Sequence, residues 1–181
     1  MRPAIFLDRD GVLNHSNVRN GKPYAPTKFE DFKILSGTLE ALNLLKKAGF
    51  TLAVVTNQPD VGNGKVKKAT VDQMNAALTS KLPIDIVKIC YHAQTDGCDC
   101  RKPEPGLILE AAAEMQLDLS KSYMIGDRWS DISAGKTAGC TTIFIDYNYS
   151  EKLVDQPNFK AASLTAAVET IILQNVDIVN A

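Results

Sequence analysis

Short apolar runs recur along the chain. Each ends in a polar cluster, and most are followed by a stretch with the apolar spacing of a helix. Ala4-Ile5-Phe6-Leu7 is the first such run, entered after Pro3 and closed by Asp8. An unbroken run of this kind reads as a strand buried on both faces. The polar, Gly- and Pro-containing stretch from Gly11 to Asp31 is expected to be loop. Leu39, Leu42 and Leu45 then recur at helical spacing between Thr38 and Lys47, with Gly49 as the stop. Thr51 to Val55 is a second buried strand, ending at Thr56-Asn57-Gln58. Gly62, Asn63 and Gly64 mark a loop, a helix is expected from about Lys67 to Lys81, and Pro83 closes it. Ile84 to Tyr91 reads as a third strand, followed by a cysteine-rich loop and a helix from Pro105 to Met115. Tyr123 to Ile125 is a short strand ending at Gly126-Asp127, Ser130 to Ala138 a helix stopped by Gly139, Thr142 to Ile145 a strand, and Ser163 to Leu173 a closing helix.

Strands that alternate with helices imply an α/β fold whose central parallel sheet is covered on both faces. One domain over residues 1–181 is expected, with no internal repeat and no room for a large inserted cap. In such sheets ligands sit beyond the carboxyl ends of the strands. Asp8-Arg9-Asp10, Thr56-Asn57-Gln58, Arg101-Lys102 and the segment Asp127 to Asp131 all follow strands or lie on strand-to-helix connections, so they should meet in one crevice.

Composition narrows the class. The chain has 181 residues, 45% of them hydrophobic and 23% charged, enough to bury a core without covalent staples. A net charge of −1 gives no broad basic footprint for nucleic acid. The local basic cluster Lys65, Lys67 and Lys68 reads as a solvated helix face. No apolar run approaches the ~18 residues of a membrane span, and the beginning MRPAIFLDRDG does not read as a signal peptide. A cytoplasmic monomer is the expectation, with its thiols reduced.

Asp8 and Asp10 lie two residues apart at a strand end, with Gly11 next. An isolated pair of this kind is commonly a turn. Four polar clusters in strand-end positions are not explained that way. Two close carboxylates repel and call for a cation, and hard oxygens suit Mg²⁺. Asp127 adds a carboxylate, with Asp131 one helical turn later. Phosphate is the natural substrate group for such a site. Asp8 would attack phosphorus, Asp10 would serve as acid and then base, Lys102 would offset charge, and Thr56 would donate a hydroxyl hydrogen bond.

Cys90, His92, Cys98 and Cys100 offer three thiolates and one imidazole, the donor set of a closed tetrahedral zinc site. All four ligands come from protein, so the zinc would be structural and would pin the loop bearing Arg101 and Lys102. Cys140, before an apolar strand, reads as a core thiol, and His15 as a solvated histidine.

DRDGVLN at Asp8 to Asn14 resembles the first motif of the haloacid dehalogenase (HAD) superfamily of phosphohydrolases; TNQ at Thr56 resembles the second, Lys102 the third, and GDRWSD at Gly126 to Asp131 the fourth. The resemblance covers roughly residues 4–145 and implies a three-layer, Rossmann-like (HAD-like) fold. It also implies that Asp8 is nucleophile and magnesium ligand, that Asp10 is acid/base and a magnesium ligand through its carbonyl, that Asp127 is the remaining ligand, and that Asp131 supports it. Cys90-Tyr91-His92 with Cys98-Asp99-Cys100-Arg101-Lys102-Pro103 is similar to the zinc loop of the heptose-bisphosphate 7-phosphatases and the related histidinol-phosphate phosphatases. That narrower likeness implies substrate contacts by Asn14, Asn57, Gln58, Arg101 and Arg128. The chain departs from it after TNQ, where Pro59 to Gly64 lacks the family's arginine, and at Arg128-Trp129, where a lysine is common.

The expected activity is phosphomonoester hydrolysis of a small phosphorylated sugar, in particular a heptose bisphosphate of a cell-surface glycan pathway. Histidinol phosphate is the enzymatic alternative. A nucleic-acid 3′-phosphatase lacks its basic stripe. A non-catalytic phospho-ligand module would lack one of Asp8, Asp10, Lys102 or Asp127, and a zinc-dependent DNA-binding protein would need an adjoining recognition helix.

Overall fold

The residues of β1 (Ala4–Leu7) point alternately into two apolar layers, and none is reached by solvent. Ile5 and Leu7 meet Ala41, Leu42 and Leu45 of α1 (Thr38–Lys47) and Ala167, Val168 and Ile171 of the last helix. Ala4 and Phe6 meet Leu107, Ile108 and Ala111 on one helix and Ala134 and Ala138 on another. A strand covered on both sides needs no polar alternation, which is why its sequence is unbroken apolar.

The computed structural model describes residues 1–175. After β1 come β2 (Asn17–Arg19), β3 (Lys22–Tyr24), α1, β4 (Thr51–Asn57), α2 (Pro59–Gly62), α3 (Lys68–Lys81) and β5 (Ile86–Cys90). There follow α4 (Gly106–Met115), β6 (Tyr123–Gly126), α5 (Trp129–Ala138), β7 (Thr141–Ile145), β8 (Phe159–Ala161) and α6 (Leu164–Gln174). Six strands form one sheet in the order β5-β4-β1-β6-β7-β8, every pairing parallel. The α/β expectation is met. So are the helix over Thr38–Lys47 and the stop at Gly139, which adopts the left-handed conformation after α5. The single-domain expectation runs to residue 181 and so extends outside the described residues.

Strand order reverses beside β1, with β4 and β5 on one side and β6 to β8 on the other. The carboxyl ends of β1 and β6 therefore flank the switch point where a crevice opens. Asp8 and Asp127 are the residues that follow those ends.

The structure differs from the sequence expectation in several places. β4 continues through Thr56 and Asn57, which pair with Ile89 and Cys90, because ladder hydrogen bonds outweigh the loop-like character of these side chains. The stretch expected to be loop contains the β2–β3 hairpin. Its turn is Asn20-Gly21, both at positive φ, the pair such a turn favours. Leu39 is exposed, because Thr38, Ala41, Leu42 and Leu45 form the buried face of α1. β5 begins at Ile86 rather than Ile84, and β8 has no counterpart in the sequence reading.

Phe6 is the largest side chain of β1 in the second layer and is fully buried. Phe6→Ala is expected to lower unfolding free energy by about 3–5 kcal/mol, measured as a lower urea midpoint at unchanged slope.

Candidate active site

Asp8 leaves β1 with its amide donating to Ile125 O of β6 (3.0 Å), which ties the two neighbouring strand ends together. Gly11 sits at φ +91°, and a methyl there would run into the Asp127 carboxylate. The loop after β1 can lie against Asp127 only with glycine at that point. Gly126 gives the same clearance to the side chain of Asp131.

Asp8, Asp127 and Asp131 are buried and offer oxygens that all lie within 4.8 Å of one another. Lys102 reaches in among them. Its Nζ donates to Asp8 Oδ1 (2.7 Å) and to Val55 O (2.7 Å) and stands 2.7 Å from Asp131 Oδ1. Burial alone would lower the lysine, but Asp131 and Asp8 more than offset it and push it up. Burial raises Asp8 from the ordinary 3.8 to about 6; Lys102 opposes this and the charges of Asp131 and Asp10 reinforce it. Burial, with Asp8 and Asp131 adding to it, holds Asp127 well above the carboxylate range.

Both carboxylate oxygens of Asp127 are buried with no donor in good hydrogen-bonding geometry, and the Tyr149 hydroxyl and the Arg128 charge ease that burial only in part. A buried carboxylate left bare is costly, and here it faces two other carboxylates. Oxygen donors of this kind fit a hard divalent cation. The residues present therefore fit magnesium, with Asp8 and Asp127 as holders. Asp131 is instead oriented from the side, its Oδ2 accepting from the Arg128 amide (3.0 Å) at the start of α5.

Asp10 does not join this cluster. Its oxygens accept from the Arg9 guanidinium, from Asn14 Nδ2 (2.8 Å) and from Gln58 Nε2 (2.7 Å). Gln58 Nε2 also donates to Thr56 Oγ1 (3.0 Å). Asn57 turns toward the lysine instead: its Nδ2 donates to Lys102 O (2.9 Å) and its Oδ1 accepts from the Lys102 amide (3.1 Å). Arg128 forms a two-pronged ion pair with Glu151, its Nε donating at 2.6 Å. Arg101 is half-buried, and its Nη1 has no partner.

Cys90, His92, Cys98 and Cys100 converge beyond β5. Cys90 Sγ lies 3.6 Å from Cys98 Sγ and 3.1 Å from Cys100 Sγ, while His92 Nδ1 lies 3.5 Å from Cys90 Sγ and 3.2 Å from Cys100 Sγ. Thiolates around one tetrahedral zinc are separated by about 3.8 Å, so these residues fit that ion. Cys140 lies apart in the core, where burial pushes its thiol up to about 12, and His15 is exposed.

The sequence reading missed Arg9, Asn75, Tyr147 and Glu151. Arg9 is fully buried and donates from Nη1 to Asn75 Oδ1 (3.0 Å) on α3. Tyr147 donates to Gly11 O (3.0 Å), and the Ser150 amide donates to Gly21 O (2.8 Å), so the segment after β7 closes over the loop after β1. No periodicity marks that segment. Arg9 did carry a signal, since an arginine between two strand-end aspartates is placed to pair with one of them.

A family model described as HAD-hyrolase-like matches residues 99–168. The D-glycero-beta-D-manno-heptose-1,7-bisphosphate 7-phosphatase of Helicobacter pylori (strain ATCC 700392 / 26695) is 39% identical over 141 residues, covering 75% of this chain and 78% of its own. The protein of the same name from Escherichia coli (strain K12) is 35% identical over 152 residues, covering 77% and 76%. The crystal structure of D,D-heptose 1.7-bisphosphate phosphatase from B. bronchiseptica, complexed with magnesium and phosphate, superposes with a TM-score of 0.80 at 26% identity, covering 95% of this chain and 99% of that one.

The raised carboxylates set a pH dependence for cation binding. A carboxyl whose folded value is raised destabilises the fold when ionised, so the penalty is absent below 3.8 and complete above about 6 for Asp8. Magnesium relieves that penalty. The rise in Tm on adding magnesium is therefore expected to be larger at about pH 7.5 than at about pH 5, measured by thermal scans at matched ionic strength. Asp127→Asn should remove most of the difference.

Proposed function

The chain belongs to the HAD-like hydrolases that include the D-glycero-beta-D-manno-heptose-1,7-bisphosphate 7-phosphatases, and from that premise we propose that it removes the 7-phosphate of a D-glycero-β-D-manno-heptose 1,7-bisphosphate. One observation carries the mechanism: a bare, buried Asp127 beside Asp8 and Lys102 at the sheet's switch point.

Asp8 is the nucleophile. Its carboxylate oxygen attacks phosphorus in line as the bond from phosphorus to the sugar O7 breaks, and Asp10 gives its proton to that departing oxygen. Asp10 then takes a proton from water, whose oxygen attacks the aspartyl-phosphate and releases inorganic phosphate and the Asp8 carboxylate. Asp8, Asp127 and the main-chain carbonyl of Asp10 would hold magnesium, which supplies charge neutralisation that lets a carboxylate approach a phosphate. Lys102, aimed by Asn57 and steadied by Asp131, shares that neutralisation, and Thr56 lines the phosphoryl position.

Arg101, half-buried next to Lys102, suits the second phosphate of the sugar, because a guanidinium fork matches phosphate oxygens. Asn14, Asn57, Gln58 and Arg128 are the further residues proposed for contact with the sugar. Cys90, His92, Cys98 and Cys100 would hold a structural zinc, which would fix the loop leading into Arg101 and Lys102. No described helix is long and apolar enough to cross a membrane. The same reading has the protein act as a cytoplasmic monomer on a small phosphorylated sugar, without nucleic acid.

Asp8→Asn is expected to lower kcat by more than about 10³-fold while leaving the thermal transition in place; wild-type turnover by this variant would remove the nucleophile. Among heptose 1,7-bisphosphate, histidinol phosphate and a 3′-phosphorylated oligonucleotide, kcat/KM should favour the first by at least about tenfold. A smaller preference removes the substrate assignment and leaves the phosphatase chemistry standing. Cys100→Ser is expected to lose the zinc found by metal analysis of the purified protein, and to lose phosphatase activity through Lys102 rather than through unfolding of the sheet.

A further inference from the structure

We propose that Asn75 on α3, acting through the guanidinium of Arg9, is a positioning residue for Asp10. The proposal rests on the reading of Asp10 as the group that protonates the departing oxygen, and it adds residues from outside the four polar clusters.

Arg9 is the largest fully buried side chain among the described residues. Its Nε lies 3.3 Å from Asp10 Oδ1, and its Nη2 lies 3.0 Å from both Asp10 oxygens. The opposite corner, Nη1, donates to Asn75 Oδ1 at 3.0 Å, and the guanidinium carbon sits 5.5 Å from the centre of the Phe32 ring. A guanidinium is planar, with its donors in a rigid fork. Fixing Nη1 and the ring plane therefore sets the direction of the Nε and Nη2 edge that grips Asp10. Asn14 and Gln58, the other donors to Asp10, lie in loops after strand ends. Arg9 is the one of the three that Asn75 ties to a long helix.

Asn75 is otherwise out of place. The buried residues beside it on α3 are Val71, Met74 and Leu78, a core-facing set. Its Nδ2 is buried with no partner. Half of the amide is thus left unsatisfied, which packing alone does not favour. The acceptor half is what Arg9 uses.

The chemistry makes the role separable from a purely structural one. An alkoxide leaving phosphorus needs a proton: the bond from phosphorus to oxygen breaks, that oxygen takes the proton, and Asp10 is left as a carboxylate facing Arg9. A p-nitrophenolate leaves without one. The ratio kcat/KM reports only the steps through transfer to Asp8, so the later use of Asp10 as a base does not enter it.

In Asn75→Ala, kcat/KM for the heptose bisphosphate is expected to fall roughly tenfold or more, while that for p-nitrophenyl phosphate changes less than about twofold. Asn75→Asp, which keeps an acceptor for Arg9, should restore the alkyl substrate. Thermal scans confirm that each variant is folded, and Asn75→Ser gives the same ratio should the alanine variant fail to fold. Equal losses on both substrates, no loss on either, or no rescue by Asn75→Asp overturn the proposal. Asp10→Asn separates this from the reading beneath it. If that variant fails to discriminate between the two substrates, the proton-donor role of Asp10 falls. If it discriminates and the Asn75 variants do not, only the positioning role falls.

Discussion

Three carboxylates share a buried site with one lysine, and this imbalance organises the carboxyl end of the sheet. Asp8, Asp127 and Asp131 come within reach of one another, and Lys102 is the ammonium seated among them. In bulk water such charges would be worth little to each other; under a buried surface they dominate. The chain draws Lys102 from 94 residues beyond Asp8 and places its ammonium on Asp8, Asp131 and the Val55 carbonyl. What remains is Asp127, whose burial the Tyr149 hydroxyl and the Arg128 charge offset only in part. The parallel sheet, the reversal of strand order beside β1 and the clearances at Gly11 and Gly126 all bring that set together.

Charges beside the cluster are handled differently from those within it. Arg9 is tied to Asp10, and Arg128 to Glu151, so each brings its own counterion. Pairs of this kind add orientation more than attraction, because burying both partners offsets much of the Coulombic gain. Arg101 is half-buried, and its Nη1 is buried without a hydrogen-bond partner.

The centre of the site was legible in the sequence because it lies where apolar runs stop. Asp8 ends Ala4–Leu7, Asp127 follows Tyr123–Gly126, and the spacing of Cys90, His92, Cys98 and Cys100 bears a donor set directly. The supports were not legible, because they depend on which elements pack together. Asn57 and Gln58 read as substrate contacts from their place in TNQ, and their bonds to the backbone of Lys102 and to Asp10 emerge only in the fold. Asn75 looks like one more polar position on a helix until α3 is laid against Arg9. Tyr147 and Glu151 belong to a connection with no regular period, and only the close approach of the loops gives them partners. The β2–β3 hairpin had its Asn-Gly turn in plain view, but Val18 and Tyr24 are exposed and supply no alternating buried face to reveal the strands.

Asn57 holds both the amide and the carbonyl of Lys102 from the last position of β4. The bearing of the lysine is thus referenced to the sheet as well as to the loop that delivers it. The exposed residues 94–97, between His92 and Cys98, can drift in length and composition over evolutionary time, exploring new ligands, while the ammonium keeps its address. In this scaffold, diversification of what is recognised and constancy of what is done to it are assigned to separate pieces of backbone.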